Sequence, residues 1–238
     1  QVWQPLRAAL DPALFRMDAT FWEIPARKMW DPDYWDAVHP GFITRNPRPD
    51  APKGQFWWTG NQGEAFKYWY AYQSWWLPQE LFDDAQRLAS LFFEASRAGS
   101  CSLHINKGLA GGTPAALGGA QDTSVHPSAY RSSGLVIMAA GSNQVYLGVP
   151  GKEPDPVYGQ QRVESIQRAM KGFIEAAPEA GCYANEADFF QDHWQEAFWG
   201  SHYPRLLEIK KKYDPNGLFF GHHNVGSEFW SSDGMRRI

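Results

Sequence analysis

Between its strand-like runs this chain inserts single amphipathic helices, and none of them opens on a phosphate-binding glycine loop. Leu81, Ala85, Leu88, Phe92 and Ala95 recur at spacings of three and four, which predicts a helix from about Pro78 that Gly99 ends. Val163, Ile166, Met170, Phe173 and Ile174 form a second stripe, closed by Pro178 and Gly181, and a third, shorter helix is expected over 203–213. Strands are expected over 55–59, 102–107 and 134–140. There is no G-x-G-x-x-G after a strand, no Walker loop, no G-x-S-x-G and no H-E-x-x-H, and Gly111-Gly112 and Gly118-Gly119 read as loop glycines. The pattern points to an α+β fold, an antiparallel β-sheet covered by helices on one face. Residues 31–54, with Pro32, Pro40, Pro47, Pro49 and Pro52, should form an extended surface loop.

The chain has 238 residues, enough for one large domain or two small ones. A composition of 43% hydrophobic and 20% charged residues is that of a folded, globular chain. A net charge of -4 lacks the basic excess that phosphate neutralisation requires, which argues against a nucleic-acid partner. No apolar run approaches the roughly 20 residues of a membrane span. The opening Gln1-Val2-Trp3-Gln4-Pro5 is not a signal peptide and has no initiator Met, so the chain is expected to start at a processing point or inside a longer reading frame.

Aromatic side chains are abundant, with 12 Trp, 10 Tyr and 15 Phe. They serve either a core or a cleft whose faces stack on a planar ligand or a sugar ring. Adjacent residues of a strand point to opposite faces, so within Trp57-Trp58 and within Trp75-Trp76 one ring can serve the core and the other a pocket. A non-catalytic carbohydrate-binding module is therefore the alternative to an enzyme. Cys101 and Cys182 allow one bridge or two buried thiols.

Chemistry has few candidate carriers. On the strand over 102–107, His104 and Asn106 share the face opposite Leu103 and Ile105, whereas Lys107 is one residue out of phase. If the chain is extended at Tyr183-Ala-Asn185, a phenol and an amide stand together, and a phenol whose surroundings favour the phenolate can take a proton from a substrate hydroxyl. His193, His202, His222 and His223 cluster with Glu186, Asp188 and Asp192. No metal site is expected from them, because the consecutive His222 and His223 should point apart in an extended chain.

The run Tyr183-x-Asn185-x-x-Asp188, followed by Tyr203-Pro-Arg-Leu-Leu-x-Ile-Lys-x-Lys-Tyr213-Asp-Pro-Asn-Gly-Leu-Phe219, resembles the C-terminal end of the berberine-bridge-enzyme-like flavoproteins of the vanillyl-alcohol-oxidase superfamily. His222-His-Asn-Val-Gly-Ser-Glu-Phe-Trp230 is similar to the tail of their fungal and bacterial oxidase branch, and weaker similarity extends back to about residue 55. The resemblance implies a substrate (cap) domain over 1–180, then a segment over 181–238 that returns to an FAD domain. That domain, with its pyrophosphate loop and its flavin attachment points, is not recognisable here. The implied partner is thus an FAD-binding chain, either the other half of a nicked precursor or a separate subunit. The implied activity is oxidation of an alcohol, sugar or phenol by hydride transfer to FAD, with O2 reoxidising the flavin. Tyr183 matches the family's base; Asn185, His222 and His223 are implied to contact the cofactor, and His104, Asn106, Trp58 and Tyr72 the substrate. A secreted or periplasmic location is implied too.

Overall fold

The computed structural model describes residues 23–61, 67–105, 107–145, 147 and 150–238. It divides into two compact units, Gln1–Ala65 and Phe66–Ile238.

In the first unit a helix, α1 (Pro32–Val38), precedes a two-stranded antiparallel ribbon of β1 (Ile43–Arg45) and β2 (Phe56–Trp58). Residues 31–54 are therefore not the extended loop their prolines suggested. Pro32 sits at the start of α1, where a missing N–H costs nothing, and the Asp31 carboxylate caps the helix by accepting from the Asp33 and Tyr34 amides. The other four prolines fall outside the helix and strands. Trp35, 1% exposed, centres this unit; it donates to the Met29 carbonyl and meets the Trp58 ring edge-on at 4.8 Å.

The second unit is built on a three-stranded antiparallel sheet of order β3 (Lys67–Pro78), β5 (Ser132–Gln144), β4 (Cys101–His104). Between β3 and β4 lie α2 (Gln79–Asp83) and α3 (Ala85–Ser96), separated at Asp84, whose carboxylate caps α3 at the Arg87 amide. Then α4 (Pro114–Gln121) leads into β5, and α5 (Pro156–Ala176) follows it. Gly118 and Gly119 are thus helical and not loop residues, because Thr113 and Pro114 supply a cap and a first-turn proline just ahead of them. The chain closes with α6 (Trp194–Trp199) and α7 (Tyr203–Tyr213). At the end of α7 the Asp214 carboxylate accepts from the Leu218 and Phe219 amides, and its bond from Lys210 holds it below the usual carboxylate range.

The two faces of the sheet are covered differently. Trp75, Leu77, Val136 and Met138 point to one side and pack against Ile166, Met170 and Phe173 of α5, with the Phe92 ring of α3 5.0 Å from Phe173. This is the helix-covered face. Trp76, Leu135 and Ile137 point the other way and pack with Ala129, Tyr72 and Tyr183. A turn over 127–130 and the segment around 181–183 therefore cover the second face beside Trp76. That segment lies along the outer edge of β3: the Trp76 amide donates to the Gly181 carbonyl and the Tyr183 amide to the Ser74 hydroxyl.

The strand expected over 102–107 ends at His104, and Ile105 is left exposed. The following chain turns across the start of β5, where Leu109 and Ala110 donate to the Ala129 and Ser132 carbonyls. Cys101 and Cys182 are free thiols lodged in or against the helix-side core. Burial pushes the Cys101 thiol up to about 11 and the Cys182 thiol higher still.

Candidate active site

A cavity of about 490 Å³ opens beside the second face of the sheet and is lined by Trp76, Lys107, His126, Tyr183, Asn185 and Trp199, with aliphatic side chains between them. Residues remote in sequence meet here because three connections converge: the turn after β4, the loop before β5 and the segment from 181 to α6.

Tyr183 and Asn185 share the cavity, but not as neighbours on a strand. The Glu186 amide closes a turn on the Tyr183 carbonyl, and this turn lets Asn185 Nδ2 donate to the Tyr183 hydroxyl at 2.9 Å. The turn also aims Glu186 at Lys107. Lys107 Nζ lies 2.7 Å from Glu186 Oε2 and 4.6 Å from the centre of the Tyr183 ring, an ammonium held over an aromatic face. The period of β4 does not reach Lys107, so its position in that alternation is irrelevant to where it points.

His126 also lines the cavity. Its Nδ1 accepts from the Ser128 amide at 3.0 Å, and Nε2 faces the Glu196 carbonyl at 3.0 Å, which assigns a neutral imidazole with the proton on Nε2. Burial lowers its pKa. The ring is wedged between Gly181 and Gly200, where a Cβ would come within 2.6 Å and 2.8 Å of it; Gly200 also has φ +51°.

The remaining residues singled out from the sequence lie elsewhere or beside this cavity. His104 pairs with Leu135, which pairs with Trp76, so its side chain stands on the same sheet face two strands away. Tyr72 is on that face too, against Trp69 at 5.2 Å and outside the cavity wall. Trp58 belongs to the first unit. Asn106 lies outside the described residues. His222 and His223 do not point apart: φ +56° at His223 folds the pair back, so their rings stack at 3.8 Å between Phe189 and Trp194. Neither lines the cavity. No cluster of three or more metal-ligand side chains forms among the described residues.

Sequence reasoning missed His126, Glu186 and Trp199 as parts of one site. Only Glu186 carried a signal, its place inside the Tyr183–Asp188 motif.

The fold is similar to part of a solved flavoprotein structure. The crystal structure of MtVAO713 from Myceliophthora thermophila C1 superposes on 68% of this chain and 27% of its own, with a TM-score of 0.51 at 22% identity. Residues 182–226 match the family model described as berberine and berberine like. FAD-linked oxidoreductase notD' of Aspergillus versicolor is 46% identical over 80 residues, 33% of this chain and 13% of that protein. FAD-linked oxidoreductase ffsJ of Aspergillus flavipes is 40% identical over 115 residues, 48% of this chain and 17% of its own. The VAO-type flavoprotein oxidase VAO615 of Thermothelomyces thermophilus is 36% identical over 117 residues, 48% and 19% respectively. The chain is thus similar to a berberine-like segment over residues 182–226 and to FAD-linked oxidoreductases over part of its length, and its matches span less than a fifth of the length of these curated relatives.

Proposed function

We propose that this chain supplies the substrate-side wall of an FAD-dependent oxidase acting on an alcohol, sugar or phenolic substrate, with Tyr183 as the base for the substrate hydroxyl. The observation that carries this reading is the arrangement at Tyr183, with Asn185 on its hydroxyl and Lys107 over its ring, in the lining of one cavity. The names of the relatives support the cofactor.

The residues present fit one end of FAD. Trp76 offers a ring wall, and the Lys107 ammonium and Asn185 amide are the kinds of donor that flavin ring oxygens and nitrogens accept from. The sequence contains no glycine-rich pyrophosphate loop, so the rest of the dinucleotide is assigned to an FAD-binding partner, a second chain or the remainder of a longer one. FAD, when bound, would supply the acceptor for the hydride, with O2 as the proposed final oxidant. Tyr183 oxygen receives the hydroxyl proton. Asn185 holds that oxygen in place, Lys107 offsets the charge the base carries before the proton arrives, and Glu186 holds Lys107. Export to the cell exterior or periplasm is part of this proposal.

The test is Tyr183→Phe in the FAD-loaded assembly, read by anaerobic stopped-flow reduction of the flavin. Loss of a general base slows that step by roughly 10²- to 10⁴-fold. Reduction within about threefold of the unaltered protein would overturn the assignment and turn attention to His104.

A further inference from the structure

Four rings from two stretches of the chain stack in one column. The Phe189 ring lies 3.9 Å from His222 at 13°, and His222 lies 3.8 Å from His223 at 27°. His223 in turn lies 5.2 Å from Trp194 at 12°. Phe189 and Trp194 belong to the stretch that enters α6, and the two histidines to the loop after α7. His222 Nε2 also faces the Phe189 carbonyl at 2.7 Å. The backbone beneath the column is strained: His223 is at φ +56° and His193, next to Trp194, at φ +48°. Among the described residues these are the non-glycine positions with positive φ.

Such a column accepts a first proton and resists a second. An imidazolium at His222 has the Phe189 face beside it, and one at His223 has the Trp194 face, and a cation over an aromatic face is favourable. Asp188, 8% exposed, acts on His223 in the same sense, whereas burial and the charge of His222 act against it. From α6 the column meets Trp194 and the edge of Phe198; from α7 the Tyr203 phenol reaches it through Trp194, and burial keeps that phenol protonated. A second proton sets two like charges face to face across the very contact that joins the two stretches. We propose that His222 and His223 form a proton-operated clasp. With no more than one proton it holds the loop after α7 against the stretch entering α6, and in mild acid a second proton from solvent opens it. The effect reaches the Tyr183 cavity through α6. Phe198 meets His223 edge-on at 6.0 Å and also lines the cavity, and the Ala197 carbonyl accepts from the Cys182 amide. Opening the clasp therefore loosens the α6 side of the cavity wall. This inference stands apart from the flavin and from Tyr183 being the base.

The experiment is hydrogen–deuterium exchange of the full 238-residue chain across the histidine range, corrected for the intrinsic pH dependence of amide exchange. The peptides to follow cover 188–197 and 220–228, where the Phe190, Gln191, Asn224 and Ser227 amides are hydrogen-bonded. An open state holding one more proton than the closed one gains about tenfold in population per pH unit below the ordinary histidine value of about 6.5. Exchange in both peptides should show that rise, stay flat above about pH 6.5, and remain faster throughout than exchange over 134–140 of β5, which marks the opening as local. His222→Phe keeps a ring in the column but removes the pair, so the rise should shrink to less than about threefold per pH unit. His223→Asn removes the pair with a residue that tolerates positive φ, and it decides should His222→Phe fail to fold, with near-UV circular dichroism reporting the fold. No rise in the unaltered chain, an equal rise in either folded variant, or β5 exchanging as fast as the clasp peptides would each overturn the proposal.

Discussion

Lys107→Gln separates the charge over Tyr183 from the scaffold that holds it. Lys107 Nζ is 4.6 Å from the Tyr183 ring centre and 2.7 Å from Glu186 Oε2, with the two ion-pair side chains 28% and 21% exposed. At an effective dielectric of about 20, unit charges at this separation interact by roughly 4 kcal/mol. Glu186 cancels most of that, and what remains for a phenolate is on the scale of a desolvated cation–π contact, about 1–2 kcal/mol. Flavin reduction in the assembled enzyme should therefore slow roughly 5- to 30-fold, with little change in substrate affinity, because Lys107 acts on the charged form of the base before the proton arrives and not on the substrate. Glu186→Gln removes the competing carboxylate and should leave the step unchanged or speed it. Losing the partly exposed ion pair itself costs about 1 kcal/mol or less, a melting shift of about 2–4 °C, so neither variant should lose its fold. Anaerobic stopped-flow traces of both variants beside Tyr183→Phe make the comparison. Equal slowing in Lys107→Gln and Glu186→Gln would show that the pair acts only as a strut, and a Lys107→Gln rate within about twofold of normal would remove the electrostatic role.

Three further outcomes follow from the packing. Burial keeps the His126 pKa below its ordinary value, so as pH falls the unfolded chain takes up the proton first; stability should be full above about pH 6.5 and decline below it. Urea midpoints at several pH values should show this slope diminished in His126→Gln, and parallel slopes in the two proteins would refute it. Gly200→Ala places a Cβ 2.8 Å from His126 Nε2 at φ +51° and should cost about 1–3 kcal/mol, a prediction that a loss under about 0.5 kcal/mol in urea titration would end. Both cysteines should titrate in urea without reductant, yet the native chain should alkylate slowly at pH 8, since the more exposed of the two thiols, Cys101, is pushed up to about 11; a thiol count of zero in urea would mean a bridge.

Much of the second unit is legible in the sequence because its signals are local and agree with one another. The stripes at Leu88–Ala95 and Val163–Ile174 lie on α3 and α5, and the opposite facing of Trp75 and Trp76 follows from strand geometry alone. The failures have physical causes as well. Pro32 ends a loop when read by composition and begins a helix when Asp31 stands before it. The residues after His104 keep the alternation of a strand, but the pairing of β4 with β5 stops at His104–Leu135, three residues short of the start of β5 at Ser132.

The site is less legible because its geometry comes from a turn and not from a repeating element. Tyr183 and Asn185 stand together in either an extended chain or a turn, so the pairing was readable while its mechanism was not. The turn adds what extension could not: it directs Glu186 toward Lys107, 79 residues away in sequence, and thereby brings a cation over the phenol. His126 enters through two glycines, Gly181 and Gly200, whose lack of a side chain is visible in the sequence but whose shared neighbour is not. The same logic places His222 and His223, where one left-handed residue turns two side chains expected to diverge into a stack. In each case a turn or a close approach between segments remote in sequence decides which side chains meet, and periodicity carries no information about it.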